Sequence, residues 1–314
     1  MSHIYEALQR AEAERKAGLG GVATDPMLER APEHPSLISS LAAQRSQPDD
    51  AITVEVAEGL TAAPPEDFFE RIPRRPWNPS MERLPALERG GIPVEQFRSL
   101  RSRVQELRDL KPLKSLLVSS GLPKEGKSFV SVNLAINLAR HKSSKVLLID
   151  ADMRCSALHQ YLGTEVHPGL PEYLSGKASM LEVMQTPQEA VGRDPMVSSV
   201  LENITLIPGG EGNETAADLT ASKRFEELLM VAGPFYDWIV IDSPPVLLVS
   251  DAVNLARHSD AVLLVARSGV TTFPEAQRAQ HELKAANVIG FVLNAADKLP
   301  MSGNYYYRYQ KTAV

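Results

Sequence analysis

The stretch GLPKEGKS, residues 121–128, decides the fold of this chain. It fits the pattern Gly-x-x-x-x-Gly-Lys-[Ser/Thr] at every fixed position, and an apolar run precedes it. Between a strand and a helix, such a loop wraps its backbone N–H groups around phosphate oxygens, and the helix N-terminus adds a positive end. The stretch therefore predicts a phosphate-binding loop, in which Lys127 reaches the β- and γ-phosphates of a nucleotide and Ser128 holds Mg²⁺. The alternative is an ordinary glycine-containing turn.

Six short apolar runs follow residue 115, and helical patterns separate several of them. The runs are LLVSS (116–120), KVLLID (145–150), ITLIP (204–208), DWIVID (237–242), AVLLVA (261–266) and IGFVLN (289–294). The helical segments are GIPVEQFRSLRSRVQELRDLKP (91–112), SKRFEELLMVAG (222–233) and PEAQRAQHELKAAN (274–287). Continuous β-branched runs between helices are typical of a parallel sheet covered on both faces. The pattern predicts a doubly wound, mostly parallel α/β domain over residues 82–300.

The N-terminal part of the chain has a different composition. Residues 1–18 show apolar positions at helical spacing and predict a short amphipathic helix. Residues 19–81 keep no periodicity, and ten of the 23 prolines fall within the first 90 residues. Such a segment does not bury enough apolar surface to offset its ordering entropy. We therefore expect residues 19–81 to be a disordered, Pro-rich linker.

Charge and cysteine content limit the possible functions. The net charge of −6 argues against wholesale nucleic-acid binding. The single cysteine, Cys155, excludes an intramolecular disulfide framework and fits a reducing compartment. No stretch of about 18 apolar residues is present to span a membrane. These features predict a cytoplasmic protein.

Two of the apolar runs end in aspartate. Asp150 ends KVLLID, with Asp152 just beyond it, and Asp242 ends DWIVID. Because ligands of open α/β sheets bind outside the carboxyl ends of the strands, these acids lie at the edge of the sheet where the phosphate loop opens. Carboxylates there can hold Mg²⁺ and its water shell, so we expect a metal site built by Ser128, Asp150 and Asp242.

Two residues at later strand ends allow two interpretations each. Asn294 follows the last apolar run, where its amide could hydrogen-bond a purine edge or simply stabilise a turn. Arg267 ends the run before it and is equally ambiguous. We include both as candidate nucleotide contacts.

The C-terminal segment, residues 301–314, concentrates aromatic side chains. Half of the eight tyrosines lie in its last ten residues, at positions 305, 306, 307 and 309. No apolar pattern surrounds them, although aromatic residues normally lie where a core or an interface buries their area. Such a tail is either a substrate or a sticky, disordered end.

Taken together, SGLPKEGKS, VLLIDADMR and WIVIDSPP resemble, in order and spacing, the three nucleotide-site motifs of the bacterial tyrosine kinases. These are cytoplasmic autokinases of capsular and exopolysaccharide loci. The resemblance runs from about Glu95 to the tyrosine tail. It implies the deviant-Walker subclass of the P-loop NTPase fold, which partition ATPases share. It also implies phosphorylation between subunits on the tail, at Tyr305, Tyr306, Tyr307 and Tyr309.

The resemblance also assigns roles to individual residues. Catalysis would rest on Lys127, Asp150 and Asp152, and the sequence does not choose between the two aspartates as the base. ATP would lie against the phosphate loop, through Gly121, Lys124, Glu125, Gly126, Lys127, Ser128 and Phe129. The family's Glu-x-x-Arg-x-x-Arg helix, which builds a ring of subunits, corresponds to Glu95, Arg98 and Arg101. A solvated helix face is the alternative for that triple.

Partners follow from the same resemblance. The implied partners are other copies of the chain, a membrane chain-length regulator that recruits the kinase to the inner face of the membrane, and a cognate tyrosine phosphatase. Two rival interpretations are a partition-type ATPase and a non-enzymatic, ATP-binding regulator. Against the first, Leu122 occupies the position at which those ATPases carry an extra lysine.

The chain departs from the family pattern at three places, one of which is the absence of an expected proline after Asn213 in GNETAADL (212–219). Lys124 replaces a glycine of the phosphate loop, which requires a backbone that tolerates a side chain. After Arg154 the family prefers a basic or polar residue and then proline, whereas this chain has Cys155 and Ser156. None of these changes removes a catalytic group.

Overall fold

A six-stranded parallel sheet forms the centre of the domain, in a computed structural model that describes residues 67–140, 144–188, 194–211 and 216–296. The order of the strands across the sheet is β5-β3-β6-β2-β7-β8, and each pair of neighbours is parallel. The strands of this sheet are β2 (Ser115–Ser120), β3 (Val146–Asp150), β5 (Ile204–Ile207), β6 (Trp238–Asp242), β7 (Ala261–Arg267) and β8 (Val288–Asn294). The predicted α/β class and all six predicted strands are confirmed.

The described part of the chain also contains ten α-helices, four short 3-10 helices and a second, two-stranded sheet. The helices are α1 (Ile92–Leu110), α2 (Lys127–Ala139), α3 (Leu158–Leu162), α4 (Leu170–Leu174), α5 (Met180–Val183), α6 (Pro195–Leu201), α7 (Ala216–Thr220), α8 (Lys223–Ala232), α9 (Asp251–Arg257) and α10 (Phe273–Glu282). The small sheet pairs β1 (Arg74–Arg75) with β4 (Thr186–Pro187) in parallel. Within these residues, no helix combines the length and the apolar character needed to cross a membrane.

Alternation along the strands explains why the sheet is covered on both faces. On β3, Val146 and Leu148 lie in one hydrophobic cluster, while Leu147 and Ile149 lie in the other. Successive side chains of a strand point to opposite faces, so a strand that is apolar at every position supplies both clusters. Layers of helices therefore pack against each face, as the sequence pattern predicts.

The packed structure begins earlier than the predicted boundary at residue 82. Phe68 and Ile72 are buried, although both fall in the segment that we expected to be a disordered linker. The ring of Phe68 stacks on Phe235 with 3.6 Å between ring centroids, and it meets Tyr236 edge-on. Aromatic burial of this size offsets the ordering cost of a proline-rich segment. The predicted linker is therefore wrong for residues 67–81, and the predicted helix (1–18) and tail (301–314) lie outside the described residues.

Residues 67–91, which we call the N-terminal strap, are fastened to α2 by Asn133. Its side-chain Oδ1 accepts the Ala86 N–H at 3.0 Å, and its Nδ2 donates to the Arg83 carbonyl at 3.2 Å. Asn133 is fully buried, and so is its bond to the Ala86 N–H, which therefore satisfies a group without access to bulk water; the bond to the Arg83 carbonyl is partly buried. The strap thus depends on one amide for two of its backbone groups.

We expect Asn133→Ala to lower the free energy of unfolding by about 3 kcal/mol, because it leaves the buried Ala86 N–H without a partner and also removes the partly buried bond to the Arg83 carbonyl. Urea unfolding measures this value. The matched control is Asn287→Ala, which removes one exposed contact to the Asp260 carbonyl and should cost about 1 kcal/mol or less. Equal losses in the two variants would contradict the role given to Asn133.

Candidate active site

The phosphate loop lies at the carboxyl edge of the sheet, where the strand order reverses. β2 leads into the loop and is flanked by β6 on one side and β7 on the other. On the side of β6, strands β6 and β3 pair in register so that Asp242 and Asp150 are direct neighbours. Such a reversal point leaves a crevice outside the strand ends, where open α/β sheets bind their ligands. The topology therefore brings the three predicted motifs to one place.

The backbone of the loop is left-handed at two residues. Gly126, which precedes α2, has a φ of 99°, and a Cβ placed there would lie 1.9 Å from Nδ2 of Asn294. Only glycine fits this position. Lys124 has a φ of 63°, so the lysine that replaces a family glycine occupies a conformation that glycine favours.

Lys127 is surrounded by carboxylates. Its Nζ is 2.7 Å from Oδ2 of Asp152 and 3.8 Å from Oδ2 of Asp242, and the lysine side chain is only 11% exposed. Burial lowers the pKa of Lys127, but the carboxylates of Asp242 and Asp152, with Asp150, raise the pKa well above its ordinary value. The lysine is therefore a permanent cation held at the mouth of the loop.

Asp150 has one engaged and one unengaged carboxylate oxygen. Oδ2 accepts hydrogen bonds from the Ser156 hydroxyl at 2.9 Å and from the backbone N–H groups of Ala157 at 2.9 Å and Leu158 at 3.0 Å. Oδ1 is buried and has no hydrogen-bond partner. Burial raises the pKa of Asp150, and the three donors lower it. The carboxylate is thus fixed in orientation with one oxygen left for a ligand.

Asp242 shows the same division between its two oxygens. Oδ1 accepts the Ser131 hydroxyl at 3.1 Å, whereas Oδ2 is buried without a hydrogen-bond partner and faces Lys127. Burial raises the pKa of Asp242, while the charge of Lys127 lowers it. Two buried carboxylate oxygens that lack donors are costly unless a cation or a donor reaches them.

Glu125 links the loop to the segment that follows β7. Its buried carboxylate accepts the Leu122 N–H at 2.8 Å through Oε2 and the Thr271 hydroxyl through Oε1. The Arg267 N–H in turn donates to the Thr271 hydroxyl at 2.7 Å. The loop is therefore braced from the side by residues 267–271.

The two ambiguous residues contact the loop itself. Asn294 Nδ2 donates to the Glu125 carbonyl at 2.9 Å, and Arg267 Nη1 donates to the Lys124 carbonyl at 3.0 Å. Each side chain thus supports the loop backbone, which is neither the purine contact nor the turn contact that the sequence suggested. A nucleotide-binding role for the two remains a prediction.

The other predicted site residues are placed as follows. Asp152 Oδ1 accepts the Cys155 N–H at 3.1 Å, and the Gly121 carbonyl accepts the Leu247 N–H at 3.2 Å. The ring of Phe129 packs edge-on against Phe97, so that side chain belongs to the core next to the loop. All three remain predicted site residues.

The three residues of the predicted oligomer interface lie on α1. Glu95 and Arg98 form an ion pair, and both side chains are partly exposed. Arg101 Nη1 donates to the Asn137 carbonyl at 3.2 Å, and its Nε is buried without a hydrogen-bond partner. The structure therefore divides the triple: one pair is open to a neighbour, and Arg101 is partly used within the subunit.

Sequence reasoning missed two serines that contact the acids and a histidine that contacts one of these serines. Ser131 contacts Asp242, Ser156 contacts Asp150, and His159 Nδ1 lies 3.2 Å from the Ser156 hydroxyl. Ser131 could have been found, because it lies one helical turn after Ser128 on the same helix. Ser156 stood out only as a departure from the family pattern.

Known proteins are similar to this chain in sequence. A family model described as an AAA domain matches residues 124–275. The tyrosine-protein kinase YwqD of Bacillus subtilis is 32% identical over 215 residues, which cover 68% of this chain and 85% of that protein. The chain belongs to the bacterial tyrosine kinase family. The tyrosine-protein kinase Wzc of Salmonella typhimurium is 32% identical over 226 residues, but these cover only 30% of that longer protein.

Solved kinase domains share the fold. The kinase domain of the Escherichia coli tyrosine kinase ETK is 29% identical with a TM-score of 0.57, covering 67% of this chain and 78% of that one. The BceF tyrosine kinase domain is 30% identical with a TM-score of 0.57, covering 73% of this chain and 97% of that one. A nucleotide-binding P-loop fold is therefore confirmed for the chain.

We expect Gly126→Ala to abolish nucleotide binding and to lower the free energy of unfolding by about 3 kcal/mol, because it adds both backbone strain and a clash with Asn294. Gly269→Ala is the matched control. Its φ of 71° is also left-handed, but its Cβ would meet nothing within 4 Å. Urea unfolding and titration with a fluorescent nucleotide measure the two effects, and a Gly269→Ala loss as large as that of Gly126→Ala would contradict the clash.

Proposed function

We propose that the protein is an ATP-dependent protein-tyrosine autokinase that phosphorylates its own C-terminal tyrosines. The supporting observation is the pair of buried, donor-free oxygens on Asp150 and Asp242 beside Lys127, at the mouth of a P-loop. Phosphoryl transfer asks the protein mainly for positioning and for neutralisation of charge, and this arrangement offers both. Membership of the tyrosine kinase family supports the choice of a phenol as acceptor.

Ser128, Asp150 and Asp242 would hold Mg²⁺. The two donor-free oxygens fit a hard cation, which prefers oxygen ligands. No group of three or more Asp, Glu, His or Cys side chains in the described ranges could hold a metal by itself. The remaining ligands would therefore be water and phosphate, as is usual for this ion. When bound, the ion would neutralise charge on the transferred phosphoryl group.

Lys127 would change partners when ATP enters. Its ammonium now rests 2.7 Å from Asp152, and a phosphate in the loop would offer it a stronger concentration of negative charge. The tyrosine hydroxyl would then attack the γ-phosphorus, the bond to the ADP oxygen would break, and the phenolic proton would pass to Asp150 or Asp152. A carboxylate suits this task because the phenol has an ordinary pKa near ~10.

The tail would be phosphorylated between subunits of a ring. Glu95 and Arg98 present a partly exposed pair to a neighbour, and a tail tethered to a ring would reach the adjacent site at high effective concentration. Each phosphotyrosine adds about −1.5 to −2 charges, so a heavily phosphorylated tail would disfavour docking and open the ring.

The proposed partners act on this cycle. A membrane chain-length regulator would recruit the kinase to the cytoplasmic face of the membrane, and a phosphatase would remove the phosphates. Exopolysaccharide synthesis and export would be the regulated process.

We expect the wild-type protein to gain successive phosphate masses with Mg·ATP, as measured by intact mass spectrometry. Two variants should gain none: Lys127→Met, and a tail variant with Tyr305, Tyr306, Tyr307 and Tyr309 all changed to Phe. A mixture of the two would test the route, because the tail variant should phosphorylate Lys127→Met only if transfer occurs between subunits. ADP release without added mass would favour a partition-type ATPase, and neither product would favour a non-enzymatic regulator.

We expect the double variant Glu95→Ala/Arg98→Ala to sediment as a monomer, because it removes the exposed pair of the predicted interface. Arg103→Ala/Glu106→Ala is the matched control, since that ion pair has the same spacing on the same helix and is more exposed, at 61% and 60% against 39% and 47%. Sedimentation velocity of unphosphorylated protein distinguishes them. An oligomer that both double variants keep, or both lose, would contradict the interface.

A further inference from the structure

The loop between β3 and α3 encloses one oxygen of Asp150. Three donors converge on Oδ2, namely the Ser156 hydroxyl and the N–H groups of Ala157 and Leu158. On the other side, a Cβ placed on Gly209 would lie 3.0 Å from Cγ of Asp150 and 3.0 Å from the Ser156 hydroxyl. The carboxylate and the serine are therefore confined together between this loop and the chain that follows β5.

Confinement fixes which oxygen of Asp150 is available. With Oδ2 saturated by three donors, rotation of the carboxylate would exchange a donor-rich oxygen for the donor-free Oδ1. Each donor to a charged acceptor contributes roughly 1.5–3 kcal/mol, so the exchange is opposed. Two of the donors are backbone groups, and Ser156 is the only side chain among them.

The serine is itself oriented by a histidine. His159 Nδ1 lies 3.2 Å from the Ser156 hydroxyl oxygen. The hydroxyl has a single proton, which goes to the Asp150 carboxylate, so His159 must donate to the serine through Nδ1–H. The chain of donors then runs from His159 to Ser156 to Asp150, and it requires the Nδ1–H tautomer of the imidazole.

We infer that Ser156 is a positioning residue for Asp150 and that His159 sets the direction of its hydroxyl. Together they keep Oδ1 of Asp150 free, so that this oxygen can either bind the metal ion or accept the proton of the tyrosine hydroxyl. This inference rests on the proposed kinase activity for its functional consequence, whereas the hydrogen-bond chain stands on the geometry alone.

The tautomer of His159 is the first test, and it needs no activity. Nitrogen-15 NMR of histidine-labelled, nucleotide-free protein should show a protonated Nδ1 for His159, with His159→Gln as the assignment control. Ser156→Ala removes the acceptor and should release the tautomer toward Nε2–H. An Nε2–H tautomer in the wild-type protein would overturn the proposed chain of donors.

The rate of phosphate transfer is the second test. We expect Ser156→Ala to lower kcat about tenfold with the KM for ATP changed less than about twofold, as fits the loss of one charge-assisted hydrogen bond. Ser156→Thr keeps the hydroxyl and should restore most of the rate. Ser259→Ala is the matched control, because it removes a serine contact to the Leu255 carbonyl away from the site.

The outcomes separate the two proposals. An unchanged kcat in Ser156→Ala, or a loss that Ser156→Thr does not restore, would overturn the positioning role. No phosphate transfer by the wild-type protein would overturn the proposed function, and the NMR result would then decide the positioning of Asp150 by itself.

Discussion

The cluster of Lys127 with three buried aspartates is the interaction on which the site depends. Asp150 and Asp242 are fully buried, Asp152 nearly so, and one ammonium faces all three. Burying charges costs free energy unless each is paired or hydrogen-bonded, and here the carboxylates exceed the ammonium. The protein offsets part of this cost with hydroxyl and backbone donors on one oxygen of Asp150 and one of Asp242. Burial raises the pKa of both Asp150 and Asp242, so a bound cation would favour the ionised forms of these carboxylates.

Parallel pairing creates this cluster from distant parts of the chain. Asp150 and Asp242 end strands that are adjacent in the sheet but separated in sequence by six α-helices and two other strands. Register alone makes them neighbours, since the carboxyl ends of parallel strands meet at one edge. The phosphate loop follows β2, the next strand along, and so Lys127 enters from the same edge. Three short sequence motifs are therefore enough to form the site, because strand pairing brings them close together.

The sequence predicts the features that depend on local pattern. β-Branched runs determined all six strands, and the glycine–lysine spacing determined the loop that ends at Gly126. The sequence did not predict the contacts that depend on how loops pack. Asn294 and Arg267 end neighbouring strands, yet only their approach to the loop backbone makes them braces. The packing of the N-terminal strap was not predicted, because its prolines suggested a linker. A few aromatic side chains, such as Phe68, are buried and hold it in place.

The strap also bears on the orientation of Asp150. Its backbone N–H groups at Asn78 and Ser80 donate to the carbonyls of Gly163 and Tyr161, and the Arg83 guanidinium lies 3.9 Å above the Tyr161 ring. These contacts hold the carboxyl end of α3 in place. The opposite end of the same helix supplies the Leu158 N–H that donates to Asp150. A helix of five residues has little stability of its own, so it needs both attachments to hold its position. The position of the Asp150 carboxylate therefore depends on a segment that composition alone assigns to a linker.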